Sequence, residues 1–197
     1  CSAPMPGCAL PMDNFTRLFD LLSAHPGGGF LLALDGRCAS GKTTMAERLQ
    51  RVLPCNVIHM DDFYLPFSQR AAERMAEPGG HIWVERLRTE VLEPLRAGRK
   101  ISYLPYACHA DRFLPQQKAD PALPTLVEGS YSCHPALRAL YDCCVFLDIT
   151  PEYQRERLLR RNPESFEAFQ TMWIPREEYF FKHCEIRKHC DFVLMAE

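Results

Sequence analysis

The stretch Phe30-Leu-Leu-Ala-Leu-Asp-Gly36-Arg-Cys-Ala-Ser-Gly41-Lys42-Thr43-Thr44 restricts what this chain can fold into more than any other. An apolar run leads into G-x-x-x-x-G-K-T and a helical pattern follows, which is the setting of a phosphate-binding loop. Gly36 and Gly41 permit a tight turn and let successive N–H groups converge where a phosphate chain can sit. The helix starting near Lys42 adds the positive end of its dipole. Lys42 would reach the β- and γ-phosphates and the Thr43 hydroxyl would ligate Mg²⁺. Arg37, Cys38, Ala39, Ser40 and Thr44 complete the cradle. A plain glycine turn between two core elements is the alternative. The expectation is a chain that binds a nucleoside triphosphate, read as ATP.

The rest of the composition narrows the partners. A length of 197 residues suits one domain with a real core. The formal net charge of -2 gives no overall basic field, which argues against nucleic acid or an acidic membrane surface. No run approaches transmembrane length, and the start lacks a secretory pattern. A small-molecule partner in the cytoplasm is expected, with homo-oligomers left open. The ten cysteines are scattered through the chain, so free thiols in a reducing compartment fit better than a disulfide framework. His183-Cys184 and His189-Cys190 lack a C-x-x-C companion, and residues six apart on a helix point to different faces, so zinc is not expected. Residues 1–11, with three prolines, read as a loose tail, and a first residue other than methionine points to a start that is missing or processed.

Periodicity and punctuation predict helices at 12–25, 42–53, 82–97 and 151–161, a short one near 135–141, and a helical stretch over 164–188 interrupted near Pro175. Buried strands are predicted at 30–35, 56–60, 125–128 and 144–149, with a last one at 191–195. Residues 65–80 read as a mobile loop, 100–106 as a short extended segment and 107–121 as irregular. This alternation implies an α/β fold, a doubly wound parallel sheet in a three-layer α/β/α sandwich, with ligands outside the carboxyl ends of the strands. No internal repeat divides 12–197, so one domain is expected there.

Two strand ends carry carboxylates: Asp61 or Asp62 after the second strand, and Glu128 after the third. Both open onto the crevice of the phosphate loop, where a carboxylate can hold Mg²⁺ or take a proton from an attacking hydroxyl. Adjacent residues at a strand end point to opposite sides, so the sequence leaves Asp61 and Asp62 unresolved. Arg155, Arg157, Arg160 and Arg161 form a basic cluster. It reads either as a lid that turns guanidiniums toward phosphate oxygens or as a solvated face paired with Glu152 and Glu156.

These residues in this order resemble the uridine kinase branch of the P-loop kinases, which also includes phosphoribulokinases and bacterial pantothenate kinases. The family's G-x-x-x-S-G-K-[ST]-[ST] stands here as residues 36–44, its D-x-F-Y as Asp61-Asp62-Phe63-Tyr64, its E-G pair as Glu128-Gly129, and its lid as residues 157–161. The resemblance runs from about residue 30 to 195. It implies a kinase domain over 12–197 with a lid around 155–175, using ATP and Mg²⁺ to phosphorylate an alcohol, uridine or cytidine first. Asp61 would take the hydroxyl proton, Lys42 would clamp the β/γ-phosphates, and Thr43 with Glu128 would hold Mg²⁺. Arg157 and Arg161 would neutralise the transferring phosphoryl group. Tyr64, Tyr106, His109 and Arg112 would meet the acceptor.

One departure concerns the acceptor. The family's ribose-binding aspartate is missing from the stretch Glu77-Pro-Gly-Gly-His81-Ile-Trp83-Val-Glu85, which offers His81 and Trp83 instead. A site that loses a diol partner changes its discrimination, so pantothenate, a sugar phosphate or another metabolite stays open as acceptor. A non-catalytic nucleotide-binding regulator is a further alternative. A GTPase is disfavoured because the chain has no N-K-x-D element. Cys38, beside the bound phosphates and Lys42, reads either as a favoured thiolate or as a loop position where only the backbone N–H matters.

Overall fold

The computed structural model describes residues 13–196. The expected tail at 1–11, with Cys1 and Cys8, lies outside the described residues, as does Met12.

Five parallel strands form the central sheet: β1 (Leu31–Gly36), β2 (Asn56–His59), β3 (Thr125–Glu128), β4 (Cys143–Asp148) and β5 (Phe192–Met195), in the spatial order β2-β3-β1-β4-β5. β1 and β4 are buried along their whole length, which explains their unbroken apolar character. Side chains alternate across the sheet. Leu32 and Leu34 of β1 face the layer containing Leu18, Leu22, Ala46 and Leu49. Leu31 and Ala33 face the layer containing Leu87, Val91, Leu95 and Phe180. The result is a three-layer α/β/α sandwich.

Helix α1 (Asn14–Ser23) begins where Asp13 caps it by accepting the Thr16 N–H at 2.9 Å, and Ala24 closes it, so it is shorter than the amphipathic pattern. Helix α2 (Lys42–Val52) follows the phosphate loop. Helix α3 spans 84–96, α4 is Pro151–Arg161, and α5 spans 166–183. Pro175 does not interrupt α5. It lies in the first turn of the Ile174–His183 segment, and the wider turn at Phe169–Trp173 lets the chain continue past the missing N–H.

Two expectations are corrected. Residues 65–80 are not an unstructured loop: they hold a 3-10 turn, Phe67–Gln69, and a short helix, Ala72–Ala76. Arg74 organises this segment, donating to the carbonyls of Gly80 and Ile82 at 3.1 Å each and pairing with Glu85 at 2.9 Å. Residues 107–121 are not irregular throughout. Tyr106–Ala107 pairs with Arg112–Phe113, and Ile101–Tyr103 with Gln117–Ala119, as antiparallel ribbons. Strands of two or three residues are too short to leave a readable alternation. Among the described residues, no helix is long and apolar enough to cross a membrane.

Candidate active site

The phosphate loop leaves the carboxyl end of β1. Gly36 has φ +142°, and a Cβ there would lie 2.0 Å from the Leu147 carbonyl oxygen, so no side chain fits. Gly41 has φ +101° and starts α2, which suits glycine for the same conformational reason. The buried Lys42 folds back so that Nζ donates to the carbonyls of Gly36 and Arg37, at 2.6 and 2.8 Å. Arg37 turns its guanidinium away, to Asp148 at 2.6 Å and Glu178 at 2.5 Å. Only its backbone belongs to the cradle.

Parallel register brings the next residues together. Leu34, Glu128 and His59 share one row across β1, β3 and β2. His59 Nδ1 therefore meets Glu128 Oε1 at 2.6 Å, and this hydrogen bond raises the imidazole pKa. From the other side, Thr43 Oγ1 lies 3.2 Å from each Glu128 oxygen. The 3-10 turn Met60–Phe63 then separates the two aspartates. Asp62 accepts from the Tyr103 hydroxyl at 3.0 Å, whereas Asp61 lines a cavity of about 240 Å³ with Lys42, Thr43, Tyr64, Glu128 and Trp173. Asp61 is exposed at the cavity mouth, but the surrounding walls desolvate its carboxylate and the charge of Glu128 opposes it, so its pKa is raised.

On the other side of the loop, a hollow of about 790 Å³ is lined by Ala39, Ser40, Gly41, Thr44, Arg157 and Arg160. Arg157 Nη1 reaches the carbonyls of Ala39 and Ser40, at 3.3 and 3.2 Å. Arg161 lines both hollows and holds Asn162 Oδ1 at 2.7 Å. These two arginines thus stand beside the loop.

The remaining expected residues are more dispersed. His81 is buried behind Tyr64, with their ring centres 5.6 Å apart, and it also meets Tyr131 and Trp173. Burial, with Arg176 and Arg70 nearby, pushes its pKa down to about 4. It lines a separate hollow of about 360 Å³ with Arg176 and Thr171. Trp83 is half-buried under the Arg86 guanidinium. Tyr106 is buried, packed on Phe113 and hydrogen-bonded to Asp111, while His109 and Arg112 are exposed on the same ribbon. None of these five lines the cavity that holds Asp61. At Cys38, burial and then the Glu177 charge push the thiol up to about 12, which sets aside the thiolate alternative and leaves the backbone N–H as the group the loop uses.

Sequence reasoning missed four residues that build the site. Asp35 is fully buried and accepts the N–H groups of Gly36, Tyr131 and Cys133 at 2.7, 3.0 and 2.9 Å, which ties the loop after β3 to the phosphate loop. A carboxylate inside an apolar run was a readable sign, since it is costly there without such donors. Glu177 Oε2 accepts the Cys38 N–H at 2.9 Å, and its Oε1 accepts from the Ser130 hydroxyl at 2.6 Å. His59 has the role described above. For Ser130, Glu177 and His59, no local pattern could have revealed the contact.

No protein-family model matches the chain. Human nicotinamide riboside kinase 1 is 30% identical over 105 residues, a match that spans 51% of this chain and 48% of that protein. The match thus takes in about half the length of the curated relative. Among solved structures, a possible uridine kinase from Bacillus stearothermophilus superposes with a TM-score of 0.68 at 22% identity, over 91% of this chain and 96% of that one. A proposed fructose transport system kinase from Silicibacter sp. TM1040 gives 0.66 at 18% identity, over 92% and 99%. The fold is that of the P-loop kinases, and the chain is similar to their uridine kinase-like members.

Proposed function

We propose that this chain is an ATP-dependent kinase that phosphorylates a hydroxyl of a small molecule, with uridine or cytidine as the first acceptor. The observation that carries this reading is the convergence of Lys42, the Thr43–Glu128 pair and Asp61 on one cavity at the carboxyl ends of β1, β2 and β3. A phosphate loop alone serves many NTPases. A carboxylate of raised pKa facing that loop, held by the Tyr64 hydroxyl, is what a hydroxyl acceptor needs.

In the proposed reaction Asp61 orients the acceptor hydroxyl and takes its proton as the oxygen bonds to the terminal phosphorus. The bond from that phosphorus to the bridging oxygen breaks, and ADP leaves. The raised Asp61 pKa makes it a better proton acceptor than an ordinary aspartate. Lys42 exchanges its carbonyl partners for phosphate oxygens. Arg157 and Arg161, on the segment 155–175 read as a lid, face the charge that spreads over the phosphoryl group. Thr43 Oγ1 and the Glu128 carboxylate are hard oxygen donors side by side, a set that suits Mg²⁺. When bound, that ion supplies neutralisation of the phosphate charge.

A second acceptor is favoured by the same cavity and by the likeness to nicotinamide riboside kinase. With the phosphates opposite Lys42 and Arg161, the walls left for the acceptor are Asp61, Tyr64 and Trp173. A carboxylate and aromatic faces suit a neutral or cationic ring, as in nicotinamide riboside, and disfavour pantothenate or a sugar phosphate. The test is ADP release from ATP with uridine, cytidine, nicotinamide riboside, pantothenate or simple sugars as acceptor. Turnover with uridine or cytidine supports the first reading, and turnover with nicotinamide riboside alone supports the second. ATP binding without turnover on any acceptor leaves a nucleotide-binding regulator.

A further inference from the structure

Two neighbouring glutamates of α5 are clipped to two neighbouring residues of the phosphate loop. Glu178 holds the Arg37 guanidinium through Nε and Nη2, at 2.5 and 3.1 Å. Neither of these residues lines the 240 Å³ cavity, so this clip is compatible with a filled crevice. Glu177 is different. Its side chain is buried, it lines that cavity with Cys38, Lys42 and Thr43, and Oε2 takes the Cys38 N–H at 2.9 Å. Ser130 Oγ fixes the other carboxylate oxygen at 2.6 Å. Phosphate loops present such N–H groups to phosphate oxygens. A carboxylate on one of them is therefore in the position of a competing anion.

The geometry points to Glu177 as a gate on the terminal-phosphate position, an inference that rests on the kinase reading above. The Glu177 carboxylate and a terminal phosphate exclude each other at the Cys38 amide, because both are acceptors and both are anionic. Filling that position displaces the Glu177 side chain, and the preceding turn of α5 repacks while the Glu178–Arg37 clip holds. The same helix carries Phe169 and Trp173, which wall the acceptor side of the cavity. A triphosphate thus reshapes the acceptor wall. A diphosphate, ending short of Cys38, does not. Glu177 acts here as a positioning residue that makes acceptor binding depend on the donor being intact.

The test is calorimetric titration of the full chain with Mg²⁺ and either ADP or the imido analogue of ATP, without acceptor. Freeing a competent state that is only partly populated tightens apparent affinity by the same factor, so Glu177→Gln should bind the triphosphate analogue about tenfold tighter. Its ADP affinity should stay within about twofold of the parent, since a ligand shifts a conformation only through differential affinity. Ser130→Ala, which loosens Glu177 without altering its charge, should move the triphosphate alone in the same direction and by less. It carries the test if Glu177→Gln fails to fold. The chain has two tryptophans, so a Trp83→Phe background isolates Trp173, whose emission should respond to the triphosphate analogue and not to ADP. Equal shifts for both nucleotides, or none, in folded variants would reduce Glu177 to a structural tie. A parent protein that binds neither nucleotide would overturn the kinase reading itself, and the gate with it.

Discussion

The phosphate loop and the acceptor side of the crevice are built by opposite means. The loop is a backbone device. Two glycines with positive φ set its path, Asp35 holds the Gly36 N–H, and the Lys42 ammonium is bonded to loop carbonyls. The acceptor side is a side-chain device. Tyr64, His81, Tyr131 and Trp173 come from four separate segments and meet through their rings. It tolerates loose ends, since His81 Nε2 and the Tyr131 hydroxyl are buried without a partner among the described residues. A backbone site recognises what all its ligands share, the phosphates. A side-chain site is free to vary, and on the kinase reading proposed above it is where the identity of the acceptor would be decided.

The sharpest way to break this contrast is to remove Lys42, which belongs to the shared half. Lys42→Ala should lower kcat/KM by about a thousandfold or more with every acceptor, since it removes the one loop cation placed against the β/γ-phosphates that every acceptor shares. A loss confined to one acceptor would overturn its placement. Next in size is Asp61→Asn, where kcat should fall by about two to four orders of magnitude while nucleotide Kd stays put. An unchanged kcat removes Asp61 from the chemistry.

Asp35→Ala probes the joint between the halves. It strips the acceptor from three buried N–H groups, at about 1–3 kcal/mol each before relaxation, and the fall in denaturant midpoint measures it. The same residue gives a pH signature. Burial raises its pKa to about 7, so the folded protein holds a proton that the unfolded chain releases near the ordinary aspartate value of 3.8. Its contribution is fully present below that ordinary value and is lost as pH rises toward 7. The parent should therefore lose stability relative to Asp35→Asn across that window. Urea midpoints of the two proteins at successive pH values check the sign. The smallest effect belongs to His81→Phe, which keeps the ring packing and removes unpartnered nitrogen. Its stability should be unchanged or raised by about 1 kcal/mol at most, read as an equal or slightly higher Tm. Acceptor KM should move several-fold while nucleotide Kd does not, and a shift in the latter would erase the boundary between the two halves.

What was legible in the sequence follows the same division. The cradle could be read because its residues are contiguous and its requirements are local: glycine where no Cβ fits, and a helix start after the turn. The strands of the central sheet announced themselves as apolar runs bounded by turns. The choice between Asp61 and Asp62 was not legible, because Tyr103, 41 positions away, occupies Asp62 and leaves Asp61 to the cavity. Glu177 lies 139 positions from the amide it holds, so no spacing rule could join them. The His59–Glu128 pair needed the strand register, which the sequence does not state. Arg74 converted a polar stretch into folded backbone through carbonyls that look like any others in a sequence.

The position of β1 has a consequence for how the protein is made. β1 lies between β3 and β4, and the Leu31 N–H finds its acceptor, Asp142, 111 positions later. During synthesis the strand that will carry the phosphate loop leaves the ribosome without either neighbour and stays an open apolar edge until most of the chain has emerged. Pairings this distant in sequence are slow to form and expose the intermediate to association. A nascent chain that stalls before β3 would carry the whole nucleotide motif and no sheet to hold it.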